Sequence, residues 1–125
     1  MTDVAKAIQA LNEDNDNSHE FVITGEPSNE TEYQRDVKYV SGADENGNAI
    51  FKDTQDFTWS EVSTKKAELQ TAYDAKDYAR KREQAYPNLK EFAEAYCEKE
   101  INNDNTKWNE YVTKYNNVRT TYPKP

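Results

Sequence analysis

Leucine, isoleucine, valine and phenylalanine together supply only 18 of the 125 residues. That share is below the roughly 20% under which a highly charged chain is expected to stay disordered. With a net charge of −8 and a mean hydropathy of −1.21, a large self-sufficient aliphatic core is excluded. No run approaches the roughly 18 consecutive apolar residues of a membrane-spanning helix. No basic-then-apolar leader precedes Val4, so a secretory signal is not expected. Cysteine occurs once, at Cys97, so no intrachain disulfide exists. Helical spacing with Phe92, Ala93 and Tyr96 predicts that Cys97 is a small buried residue. Histidine also occurs once, at His19, in a polar stretch that reads as a loop. One His and one Cys far apart in sequence make neither a zinc site nor a nucleophile–base pair. No catalytic motif, metal site or cofactor is expected.

What the chain has instead is tyrosine: nine copies, with four Phe and two Trp. A tyrosine ring buries much apolar area but needs a partner or water for its hydroxyl, so the expected core is thin and wet at its edges. Tyrosine and tryptophan are also enriched at protein interfaces. Charge is uneven. Residues 1–60 carry 13 acidic and 4 basic side chains, and residues 61–125 carry 11 and 12. The acidic first half disfavours ordinary nucleic-acid binding. The one basic cluster, Arg80-Lys81-Arg82, lacks interleaved aromatics and reads as a solvated helix face.

Val4, Ala7, Ile8 and Leu11 recur at helical spacing and predict a short helix from Thr2 to about Glu13, with Thr2 as its cap. Glu20–Thr24 predicts a strand, Tyr33–Ser41 a second with Tyr33, Arg35, Val37 and Tyr39 on one face, and Ala49–Asp53 a third. Asn46-Gly47 supplies a hairpin turn between the last two. Neither polar loop matches a calcium site: counting from Asp14, His19 and Gly25 stand where glycine and glutamate are needed, and Gly42 stands where Gly47 would require an acid. From Thr58 the period lengthens to about 3.6. Thr58 with Glu61 matches a capping box, with Ser63 or Thr64 as alternative caps, opening a helix that runs towards Tyr86 and ends at Pro87. Asn88 with Glu91 caps the next helix, whose apolar stripe is Leu89, Phe92, Ala93, Tyr96, Cys97 and Ile101. Asp104 or Asn105 caps the last, which carries Trp108, Tyr111, Val112, Tyr115, Val118 and Tyr122. These two helices should form an antiparallel αα-hairpin in which Trp108, Tyr111 and Tyr115 meet Phe92 and Tyr96.

The expected fold is therefore α+β: a short N-terminal helix, a small antiparallel sheet with a hairpin, then a three-helix C-terminal region. An acidic segment of residues 1–57 precedes a helical segment of residues 58–125, and the two are expected to form one folding unit.

Arg82, Tyr86, Pro87, Leu89, Trp108, Val118, Tyr122, Pro123, Lys124 and Pro125 form a pattern, Arg-x-x-x-Tyr-Pro followed by a Trp-containing helix and Tyr-Pro-Lys-Pro. Over about residues 58–125 this pattern resembles small proteins of tailed bacteriophages, among them tail-fibre assembly chaperones. Glu68-Leu69-Gln70, Tyr73-Asp74-Ala75 and the strand Phe21–Gly25 fit as well, whereas residues 26–57 look like an insertion. The resemblance carries over no catalytic residues. It implies a non-enzymatic, virion-associated protein that meets a tail or tail-fibre component in the host cytoplasm during assembly, with self-association as a further possibility. The expected contact residues are Tyr39, Asn46, Phe51, Trp108, Tyr111, Tyr115 and Tyr122. The alternative, drawn from the acidic first half, is an inhibitor or nucleic-acid mimic acting on a host protein.

Overall fold

Capping chemistry decides where the helices begin. The computed structural model describes residues 2–125. Helix α1 (Val4–Asp14) starts at Asp3, whose carboxylate accepts from the Lys6 amide at 2.8 Å. Thr2, the expected cap, instead donates its hydroxyl to Gln70 at 2.9 Å. Asp3 wins because a carboxylate is the stronger partner for amides at the positive end of a helix. Helix α3 (Trp59–Ala75) opens on the expected capping box: Glu61 Oε2 accepts from the Thr58 amide, and Thr58 Oγ1 accepts from the Glu61 amide. In the same way Asn88 accepts from the Glu91 amide and opens α5 (Leu89–Asn102). Asp104, not Asn105, accepts from the Thr106 amide at the start of α6 (Thr106–Thr121).

Two departures from the sequence reading also follow from caps. Residues 30–36 form a helix, α2 (Glu30–Asp36), not the first half of a strand. Asn29 Oδ1 accepts from the Glu32 amide, and Glu32 reaches back to the Ser28 amide and hydroxyl. Those Ser28 hydrogen bonds hold the Glu32 carboxyl below its ordinary range. The strand β2 (Val37–Ala43) starts only where β-branched Val37 follows. Likewise the helix from Thr58 does not reach Tyr86 unbroken. It stops at Ala75, and α4 (Asp77–Ala85) begins after Lys76. Asp77, paired with Lys81 at 2.7 Å, supplies the negative charge that a new N-terminus favours.

The sheet is antiparallel in the order β1-β2-β3, with β1 (Phe21–Ile23) and β3 (Ala49–Phe51) flanking β2. The fold is thus α+β, with the helix, the sheet and the C-terminal helices in the expected order. Phe21 pairs with Tyr39 and Ile23 with Val37, placing four apolar side chains on one face, while Val22 points away. A bulge between Val40 and Gly42 breaks the β2–β3 ladder.

The chain divides into two compact units, Met1–Tyr73 and Asp74–Pro125. The division falls within α3, whose Val62 is sealed in the N-terminal core with Trp59 packed against it. That core joins Val4, Ala7, Ile8, Tyr33, Val37, Tyr39, Phe57 and Val62. Glu26 ties two helices together, accepting from the Val4 amide at the start of α1 and from Lys66 Nζ on α3.

The two core tyrosines solve each other's hydroxyl problem. Tyr33 Oη donates to the Phe57 carbonyl at 2.7 Å, so the Tyr39 hydroxyl donates to Tyr33, also at 2.7 Å. Burial, ahead of the contact with Tyr39, pushes the Tyr33 phenol far above its ordinary value; burial also raises that of Tyr39, against the hydrogen bond with Tyr33, which favours its ionised form. An acid whose folded value is raised keeps its proton when the unfolded chain would lose it. Its contribution is fully present below about pH 10 and falls as pH rises past that value. Alkaline titration should therefore show two phenols that ionise only as far-ultraviolet dichroism is lost. Tyr33→Phe, which leaves the Phe57 carbonyl and the Tyr39 hydroxyl unpaired, should cost about 1–3 kcal/mol in urea unfolding.

Candidate interaction surfaces

The expected contact residues fall into three environments. Tyr39 is fully buried, so it offers no surface; its ring fills the core because the β2 pleat turns Val37 and Tyr39 inward together. Asn46 and Phe51 lie on the β2–β3 arm, where every residue from Ser41 to Phe51 is exposed. Trp108, Tyr111, Tyr115 and Tyr122 are half-buried in the C-terminal unit.

The arm is held by its own turn. Asp44 accepts from the Asn46 and Asn48 amides, each at 2.9 Å, and its carbonyl accepts from the Gly47 amide. These bonds, the Asn48 amide first among them, hold the Asp44 carboxyl below its ordinary range. Positive φ falls on Gly47, at 79°, where a side chain would be strained. Ser41 Oγ donates to the Ile50 carbonyl across the bulge. The order is local, and Ile50 and Phe51 remain half-exposed. Many acids of the first half are likewise engaged nearby: Glu32 with Ser28, Asp36 with Arg35, and Asp56 with Lys52 and His19.

A cleft of about 510 Å³ lies beside the core of the same unit. Glu30, Tyr33, Lys38, Lys52, Gln55 and Trp59 contribute to its wall. Gln55 Nε2 donates to the Val37 carbonyl, while its Oε1 is buried without a partner. Among the described residues no three His, Cys, Asp or Glu side chains converge as a metal-binding group, and no helix is long and apolar enough to cross a membrane.

In the C-terminal unit α5 and α6 pack antiparallel: Glu91 pairs with Lys114, and Glu94 and Glu98 both pair with Lys107. Phe92 meets Trp108 and Tyr111 at 6.2 and 5.4 Å between centroids, and Tyr96 meets Trp108 at 6.4 Å. Tyr115 stacks on Tyr86 at 5.1 Å, with planes 12° apart. The face of α5 differs from the expected stripe. Ala95 is the buried residue, and Cys97, expected inside, is exposed along with Leu89, Ala93 and Ile101. Ala95, three residues after Phe92, shares the helix face that Phe92 turns to Trp108 and Tyr111 on α6. Lys99 then lies over Trp108, 4.8 Å from the ring centroid. Leu89 and Ile101 are surface residues that the stripe does not reveal, since the sequence permits two overlapping apolar faces.

Arg82, from the Arg-x-x-x-Tyr-Pro pattern, donates Nε to the Tyr122 carbonyl at 2.7 Å and Nη2 to the Arg119 carbonyl at 3.4 Å. Its guanidinium also lies over Tyr78, 5.0 Å from the centroid. A cation here meets the carbonyls that end α6 and the negative end of its dipole. Arg82→Ala should cost about 1.5–3 kcal/mol and speed hydrogen exchange over the last turn of α6, while α1 keeps its native protection. Compared with protein-family models, curated proteins and solved structures, the chain finds no match.

Proposed function

We propose that this chain is a non-enzymatic, virion-associated bacteriophage protein that binds a tail or tail-fibre component, serving as an assembly chaperone or structural accessory. The observation that carries this reading is the β2–β3 arm. It is eleven residues long, exposed throughout, and ordered by the Asp44 turn while presenting Ile50 and Phe51 to solvent. Apolar side chains fixed in place before binding lose little conformational entropy on contact. Asp44, Glu45 and Asp53 lie along the arm and the residues after it, which favours a partner offering an apolar pocket with a basic rim. The phage context comes from the resemblance of residues 58–125, whose Arg82, Tyr86 and Tyr122 clasp the C-terminal unit.

Co-expression of the chain with each tail and tail-fibre protein of its phage should yield one co-purifying pair. Phe51→Asp should weaken that pair by about tenfold or more, in line with loss of a buried aromatic anchor, with helical dichroism unchanged. A chain that stays alone beside every virion protein, with particles complete in its absence, would overturn the reading.

A further inference from the structure

The C-terminal unit carries an apolar ridge that nothing within it covers. Leu89, Ala93, Cys97 and Ile101 follow at four-residue intervals on α5, so they form one ridge along the helix. All four are exposed, Leu89 at 79% and Ile101 at 74%. Tyr96 stands beside the ridge, half-exposed. The opposite face of α5 is already spent on α6 through Phe92 and Ala95.

We propose that this ridge seats a second copy of the same chain, with the two α5 helices antiparallel. The ridge is complementary to itself in that orientation. About a two-fold axis near Ala95, Leu89 of one copy lies against Ile101 of the other, and Ala93 lies against Cys97. The two small residues in the middle let the backbones approach closely, and the two large ones close the ends. Charge along the helix selects the same direction. Lys90 stands at the N-terminal end of the ridge and Glu100 at its C-terminal end, whereas Glu91, Glu94 and Glu98 are paired with Lys114 and Lys107 on α6. Within its own helix Lys90 acts on Glu94, one turn on, and Glu100 pairs with Lys99, all at the surface. Antiparallel packing brings each Lys90 opposite Glu100 of the other helix, twice by symmetry. A parallel pair would place lysine beside lysine and carboxylate beside carboxylate. Helix dipoles favour the antiparallel choice too. One helix pair buries little area by the standard of obligate dimers, so the association is weak and reversible.

This pairing uses the C-terminal unit and does not depend on the virion reading, which rests on the arm of the N-terminal unit. Sedimentation equilibrium of the full chain, from micromolar to millimolar concentration, tests it. The expected result is a monomer–dimer equilibrium that Leu89→Glu/Ile101→Glu abolishes. Lys90→Glu should weaken it about tenfold, and Lys90→Glu/Glu100→Lys should restore it. Phe51→Asp should dimerise like the native chain, which separates failure of this proposal from failure of the other. A strict monomer up to millimolar concentration would overturn the pairing. So would a dimer indifferent to Leu89→Glu/Ile101→Glu, or one that Lys90→Glu leaves unweakened.

Discussion

Two tyrosine hydroxyls buried against each other organise the N-terminal unit. With so few aliphatic residues, ring area has to stand in for branched side chains, and each ring brings a polar group that must be satisfied. The chain from Tyr39 to Tyr33 to the Phe57 carbonyl meets that demand with no group left over. Its cost is geometric. Helix α2, strand β2 and the segment entering α3 each supply one member, so their positions are set together. Pro27 is sealed at the same level of burial, and Gln55 hydrogen-bonds the Val37 carbonyl nearby. The core is small, yet it is specific, because displacing any member strands a polar atom.

Helix starts were the most legible part of this sequence, since a cap is a short-range arrangement written in three or four residues. Thr58 with Glu61 and Asn88 with Glu91 announce α3 and α5. Asn29 with Glu32 announces α2 by the same spacing, but there the alternation of Tyr33, Arg35, Val37 and Tyr39 imitates a strand. The imitation arises because Tyr33, on the helix, and Val37 and Tyr39, on the strand, all turn towards one core, while Arg35 stays outside with Asp36. On α5 the difficulty was of another kind. Two apolar faces overlap on the helix, and the choice between them depends on the shape of α6, which local pattern does not encode. The hairpin tip and the aromatic contacts between α5 and α6 were readable as candidate surfaces. The burial of Tyr39 and the exposure of Leu89 and Ile101 depend on tertiary neighbours, and so were not.

Arg82, Tyr86 and Pro87 hold the C-terminal unit together. Arg82 reaches the carbonyls that end α6, Tyr86 stacks on Tyr115, and Pro87 separates α4 from the capped start of α5. Punctuation in the sequence thus becomes a clasp in space. A unit with Ala95 as its fully buried residue relies on half-shielded rings, with ion pairs such as Lys107 to Glu94 and Glu98 across α5 and α6. Such pairs contribute little each at the surface, so the rings and the Arg82 clasp carry most of the weight.

The bulge at Val40–Gly42 bears on how the exposed arm avoids trouble with its own kind. A flat strand edge with free amides and carbonyls is a template on which other chains add themselves indefinitely. Here β3 is only three residues long, and the extra residue in β2 increases the local twist. Little straight backbone remains for an incoming strand to follow. The arm can therefore be sticky in its side chains while remaining a poor seed for fibrils.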